Sequence, residues 1–512
     1  MNFAARVELH ARNDPDAPAI YFGDETLTWG DLDARTDGFA ATLRECGIGT
    51  GDPVALLAPN VPEFVVGFYG AMKAGAVAMP MNTGFAPGQV QYMLDHVGHR
   101  ALVTLDRFAD VVGSVDLGGV EHAFVAGDST PSLEGPEAHD FAAASEPGSF
   151  DTVPRREADH AFYMHTSGTT GRPKPVVATH GNVRTHALAY ADKIALSRND
   201  VALNTIPIFH VGGLNLHLTL FTELGAPQVL VDGWDPEAAL AAVEAHGVTY
   251  AFLIATMLYD LANRDRDAPA YDTDSLRVVG VGGQNVLPAV VERFEARYSG
   301  TVLEAYGLTE TMPAVLSNEP GDRRPGTAGT PIENAASLRI VDPEDPEREV
   351  ETGDLGELLV SGDVVTPGYL DRPDANEAAF ETVDGTRWLH TGDVVAADEE
   401  GYVSIEDRID DMIITGGENV YPSEVEAVVY ELDGVEEVAV IGTPDERFGE
   451  RVTAIVVASE PSLTAEDVTE HCEASGRVAD YAKPREVHFV DELPRSGAGK
   501  IDRVAIEERY AE

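Results

Sequence analysis

Lysine is scarce in this chain of 512 residues. Only Lys73, Lys174, Lys193, Lys483 and Lys500 occur, and lysine and arginine together number 35 against 88 aspartates and glutamates. The resulting formal charge of -53 would repel nucleic acid and an anionic membrane surface, so neither is an expected partner. Cysteine is limited to Cys46 and Cys472, too few and too far apart in sequence to indicate a disulfide scaffold or a metal site, which fits a reducing compartment. No signal peptide is visible in Met1 to Pro15, where Arg6, Glu8, Arg12 and Asp14 interrupt the apolar residues. Long apolar runs are missing too. The most apolar stretch, Phe64 to Met79, carries Lys73 and is shorter than a bilayer span, so it reads as a core helix with its following strand. The expectation is a soluble, cytoplasmic protein with no integral membrane segment.

Hydrophobic residues make up 44% of the sequence and low complexity is absent, so the excess acid must sit on a folded surface. Such a surface repels polyanionic ligands at low ionic strength. At about 1 M salt the screening length falls to about 3 Å, and distant carboxylates no longer oppose a local cluster of donors. The composition therefore points to a salt-loving, halophilic cytoplasm.

The length predicts more than one domain. Strand-like and helical runs alternate over 53–58, 61–74, 76–80, 87–97 and 101–105, and again over 201–206, 213–223, 228–231, 236–246, 248–254, 276–281 and 288–298. This is βαβ winding, and two doubly wound parallel sheets are the simplest packing. Residues 113–157, rich in Gly, Ser, Pro and acid, read as an irregular surface excursion. From about Ala314 to Arg408 short strands separated by Gly and Pro predict a small β subdomain without helices. Helical patterning returns at 423–432 and 464–474, with strands at 435–441 and 453–458 between. The expected fold class is thus α/β: an N-terminal domain over 1–408 and a smaller α+β C-terminal domain over 409–512.

The most specific segment is His165-Thr166-Ser167-Gly168-Thr169-Thr170-Gly171-Arg172-Pro173-Lys174. It follows a strand-like run, 161–164, and precedes a helical one, 179–194, so it leaves a strand end, where open α/β sheets bind ligands. Its glycines let backbone N–H groups point inward as an anion nest, its hydroxyls add donors, and Lys174 adds charge. A polar turn is the bland alternative. A P-loop NTPase is disfavoured, because Lys174 stands between Pro173 and Pro175 instead of leading directly into a helix.

Tyr306-Gly307-Leu308-Thr309-Glu310 follows a second strand-like run, 302–305. Its residues offer a flat ring for a base, a hydroxyl for a phosphate and a hard oxygen anion for magnesium. Gly280-Val281-Gly282-Gly283-Gln284-Asn285 lacks the final glycine of a dinucleotide fingerprint. His210, in Pro207-Ile208-Phe209-His210-Val211-Gly212-Gly213, closes another strand. Asp393 lies in Trp388-Leu389-His390-Thr391-Gly392-Asp393, and Arg408 and Asp410 lie in Glu406-Asp407-Arg408-Ile409-Asp410-Asp411. Gly416-Gly417 permits close backbone approach to a ligand, Ser423 is an expected helix cap, and Lys500 ends Leu493-Pro494-Arg495-Ser496-Gly497-Ala498-Gly499-Lys500.

Together, in this order, these segments closely resemble the adenylate-forming superfamily of acyl-CoA synthetases, peptide-synthetase adenylation domains and beetle luciferases. The departures are Pro175 and Asp407, each where that family usually has glycine. The resemblance implies that Thr166, Ser167, Gly168, Thr169, Thr170, Gly171 and Lys174 hold the ATP phosphates. It implies that Gly282, Gly283, Gln284, Tyr306 and Gly307 border the adenine, that Thr309 meets the α-phosphate and that Glu310 holds Mg. Asp393 is implied to bind the ribose, Arg408 to approach nucleotide oxygens, Asp410 to be the hinge, and Gly416 and Gly417 to meet the pantetheine of CoA. His210 would orient the acid, and Lys500 would be the catalytic lysine.

The implied activity is ATP-dependent activation of a fatty or aryl carboxylic acid to an acyl-adenylate, followed by transfer to CoA. An amino-acid adenylating enzyme is disfavoured by His210 and by the lack of an acidic anchor for an amino group. A non-catalytic acyl or nucleotide sensor has no need of both Lys500 and Glu310. Asn215, Met257 and Met312 are candidate pocket residues, while the acid's chain length and the choice between monomer and homodimer are not written in the sequence.

Overall fold

The structure is a computed structural model that describes residues 1–512 except 130–132, 167–172, 266–267, 285, 344, 410, 446, 460–461, 496–500 and 511–512, and the backbone alone at 419. The chain packs as two units, one of Met1–Ser337 with Ser361–Leu389, the other of Leu338–Val360 with His390–Glu512.

Two sheets organise the first unit. The seven-stranded sheet runs, in spatial order, Glu137–Asp140, His122–Ala126, Ala101–Leu105, Pro53–Leu57, Val77–Pro80, His160–Thr166, Lys174–Thr179. Every neighbouring pair is parallel except the last, which is an antiparallel hairpin. The nine-stranded sheet is parallel through Thr301–Gly307, Val278–Gly282, Tyr250–Ile254, Ala202–Asn204, Gln228–Leu230 and Pro18–Phe22, and antiparallel at both edges.

The period-two alternation of a strand divides its side chains between two cores. Val54, Leu56, Ala78, Phe162, Met164, Val176 and Ala178 enter one core, with Phe64, Phe68, Tyr69 and Met72 of the helix Pro62–Lys73. Ala55, Leu57, Val77, Met79, Tyr163 and Val177 enter another, with Val90, Met93 and Leu94 of the helix Pro87–Val97. Both faces are covered, so these strands are apolar throughout. The run 64–79 is, as expected, a buried helix and strand. Lys73 is completely buried at the end of that helix, where its Nζ lies 2.5 Å from the carboxylates of Asp33 and Asp37 on the helix Trp29–Glu45. An unpaired charge there would carry a cost of several kcal/mol, which the two carboxylates offset.

Three expectations need correction. Residues 113–157 hold two strands, His122–Ala126 and Glu137–Asp140, and the short helix Phe141–Ala144. These pieces are too short and too interrupted by polar residues to show a period. A further helix, Pro373–Ala379, lies in the stretch expected to have none. The strand Lys174–Thr179 stands between the glycine-rich segment and the helix His180–Lys193, so the chain runs strand, loop, strand, helix.

In the second unit, strand Val403–Arg408 pairs antiparallel with Thr386–Ala397, placing Asp393 opposite Arg408. A five-stranded sheet is built from Glu418–Val420, Ile413–Thr415, Gly449–Ala458, Val435–Asp445 and Glu486–Val490. Helices Pro422–Tyr430 and Ala465–Ser475 contribute Val425, Val428, Val429, Val468 and Cys472 to its core.

Candidate active site

In the nine-stranded sheet the parallel strands Ala202–Asn204, Tyr250–Ile254, Val278–Gly282 and Thr301–Gly307 end along one edge. That edge carries His210, Met257, Gly282 to Gln284 and Tyr306 to Glu310. The strand His160–Thr166 of the other sheet meets the same edge, because the rings of His165 and His210 stand edge to face with centroids 6.2 Å apart. His165 Nε2 accepts the backbone N–H of Asn82 at 3.2 Å. Burial first, and then the neighbouring His210, hold His165 down to about 3, so it is a neutral ring.

The hairpin register sets Thr166 directly opposite Lys174. The glycine-rich segment is therefore closed at its base by a strand pair, and Ser167, Gly168, Thr169, Thr170, Gly171 and Arg172 lie outside the described residues. Pro175 sits within the outer strand of this hairpin, opposite His165, and its carbonyl accepts the N–H of Leu370 at 2.9 Å. An edge strand tolerates a residue without an N–H.

A side chain outside the expected set joins the hairpin to the Thr309–Thr311 turn. Lys174 Nζ lies 5.4 Å from the centroid of the Tyr369 ring, and the Tyr369 hydroxyl donates to Glu310 Oε1 at 2.7 Å. Tyr369 is held there because its segment runs along the outer strand of the hairpin. Val177 N–H donates to the Gly368 carbonyl at 3.0 Å, Thr366 Oγ1 donates to the Val177 carbonyl at 2.6 Å, and Thr366 N–H donates to the Glu310 carbonyl at 2.8 Å. One element thus fixes both Lys174 and Glu310. Nothing in the spacing of Thr366-Pro367-Gly368-Tyr369 announces this.

Glycine is required at two expected positions for steric reasons. A Cβ on Gly307 would fall 1.7 Å from the Pro313 carbonyl oxygen, and one on Gly282 would fall 2.5 Å from that of Ala305. Glu310 and Thr309 follow in a single turn, Thr309–Thr311, half-buried. Among the described residues Glu310 accepts a side-chain hydrogen bond only at Oε1. A carboxylate oriented in this way is a hard-oxygen donor of the kind that fits Mg. Of the candidate pocket residues, Asn215 and Met312 touch, Asn215 Nδ2 donating to the Met312 carbonyl at 3.3 Å. Met257 lies instead against Thr205.

In the second unit Asp393 is buried and its Oδ1 accepts from Arg408 Nη1 at 3.0 Å. Glu357 supports the turn before it, accepting from Gly392 N–H at 3.1 Å and contacting His390 Nδ1 at 3.0 Å. Gly416 and Gly417, with φ of 65° and 90°, form the two-residue turn between Ile413–Thr415 and Glu418–Val420. Two successive residues at positive φ make that turn glycine-dependent whatever it binds. Ser423 is not the expected cap: it lies inside the helix Pro422–Tyr430, and its N–H donates to Asp407 Oδ2 at 3.0 Å. The residue that departs from the family pattern therefore supplies the cap from a neighbouring strand. Lys500 and Asp410 lie outside the described residues.

Strand ends thus lie beside the Thr166–Lys174 strand pair, with Lys174 and Glu310 both in contact with Tyr369. Residues 7–370 match the family model described as AMP-binding enzyme, and 424–500 match the AMP-binding enzyme C-terminal domain. A long-chain-fatty-acid–CoA ligase, FadD13, of Mycobacterium tuberculosis is 33% identical over 498 residues, covering 95% of this chain and 94% of its own. A feruloyl-CoA synthase from Amycolatopsis sp is 34% identical over 503 residues, covering 98% and 97%. The structure of the anthranilate CoA ligase AuaEII in complex with anthranoyl-AMP superposes with a TM-score of 0.91 at 25% identity, covering 100% of this chain and 97% of that one. ATP-bound MatB from Rhodopseudomonas palustris gives 0.89 at 29% identity, covering 100% and 99%. The chain belongs to the AMP-binding enzyme family. It is an AMP-forming acid–thiol ligase, activating a carboxylic acid as its adenylate before passing the acyl group to a thiol.

Proposed function

We propose that the thiol is CoA and that the acid is fatty or aryl, the two classes named among the relatives. The observation that carries the residue assignment is the Lys174–Tyr369–Glu310 arrangement, which holds a cation and a carboxylate in fixed relation at the base of the glycine-rich segment.

The chemistry follows from charge. A carboxylate attacking the α-phosphate of ATP approaches a polyanion, so negative charge must be neutralised on both. In this reading Thr166, Ser167, Gly168, Thr169, Thr170, Gly171 and Lys174 hold the departing pyrophosphate. Glu310, oriented by Tyr369, would hold Mg, which would supply further charge neutralisation. Thr309 donates to the α-phosphate. Gly282, Gly283, Gln284, Tyr306 and Gly307 face the base, Asp393 and Arg408 the ribose and nearby oxygens, and His210 the acid. Lys500 bridges the carboxylate and α-phosphate as charge gathers between them, a donor worth about 3 kcal/mol.

Thioester formation needs a different set, with Gly416 and Gly417 against the pantetheine. A hinge at Asp410 separating an N-terminal domain, 1–408, from a mobile C-terminal domain, 409–512, lets one enzyme use both sets in turn. The acid excess adds that the enzyme works in a salt-rich cytoplasm.

Substituting Lys500→Ala tests the assignment. Adenylate formation, read as acid-dependent pyrophosphate exchange, should fall by roughly a hundredfold or more, while thioester formation from supplied acyl-adenylate and CoA should change little. Equal loss in both half-reactions would count against alternation.

A further inference from the structure

At the edge of the seven-stranded sheet opposite the Lys174 hairpin, a group of ligating side chains has no part in the ligase reaction. The parallel edge strands pair His122 with Glu137 and Phe124 with His139. Paired residues share a face, so the two histidines are diagonal neighbours on one side of the sheet. His122 Nδ1 lies 3.0 Å from His139 Nε2. The helix Trp29–Glu45 covers this face: Phe39 stands edge to face with Phe124, centroids 5.1 Å apart. Cys46 caps the helix seven residues after Phe39, two turns along on the same side. One ligand atom each from Cys46, His122 and His139 therefore lies within 4.8 Å of the other two. Glu137 Oε2 stands 3.7 Å from His122 Nδ1 and reaches solvent.

We propose that Cys46, His122 and His139 bind a divalent transition-metal ion, zinc above all, which clips the end of the first long helix to the sheet edge. Two imidazole nitrogens at 3.0 Å must share either a proton or a cation. At zinc–nitrogen distances of about 2.0–2.1 Å, two tetrahedral ligands stand roughly 3.3 Å apart, close to the spacing already present. The sulfur needs to move inward by about an ångström, and Glu137 or water completes four-coordination.

The step involves no oxidation or reduction. The Cys46 S–H proton leaves to solvent as sulfur donates to the metal, and the proton shared between the rings moves to the far nitrogen of the ring that bore it. Thiolate and imidazole donors select zinc or cobalt over magnesium, which keeps this site distinct from the phosphates. Sequence spacing hid the group, since its members come from three elements that only the fold joins.

Cobalt(II) added to tag-free, chelator-stripped, full-length enzyme in high KCl tests this. One equivalent should produce a sulfur-to-cobalt charge-transfer band in the near ultraviolet, and zinc should displace it. Cys46→Ser should abolish the band and Cys472→Ser should retain it. His139→Gln should weaken affinity by more than about tenfold, the lower bound of what even outer-sphere changes cost. Zinc should raise the melting temperature of the parent enzyme and not that of Cys46→Ser, while acyl-CoA formation without zinc stays equal in the two. No charge-transfer band in the parent enzyme at excess cobalt, or a band that survives Cys46→Ser, would overturn the proposal.

Discussion

At the scale of single residues, Tyr369 links the two charged side chains of the proposed site. Its hydroxyl orients the Glu310 carboxylate while its ring faces the Lys174 ammonium, so one aromatic side chain addresses two charges of opposite sign. The sequence makes Lys174 and Glu310 legible because each sits in a dense motif. Tyr369 is not legible, because its position comes from backbone pairing with the hairpin strand. A hydrogen bond to a charged group is worth about 1.5–3 kcal/mol. Tyr369→Phe should therefore lower kcat/KM for adenylate formation by about tenfold or more. Its melting temperature should hardly move, since the ring stays packed. An unchanged kcat/KM would mean that the hydroxyl does not position Glu310.

At the scale of elements, the strand ends were foreseeable from apolar runs followed by glycine, whereas the hairpin strand Lys174–Thr179 was not. Lys174, between Pro173 and Pro175, reads as part of a turn, and the strand state comes from pairing with His160–Thr166. The cap of Pro422–Tyr430 likewise comes from outside its own segment. The helix takes its acceptor from Asp407, in a different strand. Asp407→Gly, which restores the family residue, should destabilise the second unit by about 1 kcal/mol while pyrophosphate exchange persists, as read by urea unfolding and radiolabel exchange. A variant as stable as the parent would contradict the capping role.

Four buried histidines tie elements of the first unit together in one way. Ring nitrogens of His165, His180, His186 and His217 accept backbone N–H groups of Asn82, Phe3, Ala314 and Phe252 at 3.1–3.2 Å. Each ring must stay neutral to accept. Burial leads in holding them down, His165, His180 and His186 to about 3 and His217 to about 4, against an ordinary value of 6.5. A depressed folded-state value means stability that is fully present above 6.5 and lost as pH falls toward 4 and 3. Thermal unfolding in high KCl, where carboxylate repulsion is screened, should therefore give a melting temperature that falls from about pH 7 to about pH 5. A flat profile over that interval would show that these rings are not protonated on unfolding.

At the scale of the whole molecule, the division into α/β sheets and a smaller second unit was readable from the alternation of runs. Within the β-rich stretch, residues 338–360 and 390–408 pack with the chain's end while 361–389 pack with its start. Surface charge acts at this scale as well. With a formal charge of -53, the chain repels anionic ligands at low ionic strength, and salt that screens distant carboxylates weakens that repulsion. The central claim is that the Thr166–Lys174 hairpin and the Tyr306–Glu310 strand end serve a single nucleotide as it meets an acid. Pyrophosphate exchange in high KCl, run across short, medium, long and aromatic acids, tests it most directly. The account predicts exchange that requires an acid and collapses in Glu310→Gln. ATP binding with no exchange against any acid, or exchange undiminished in Glu310→Gln, would contradict it.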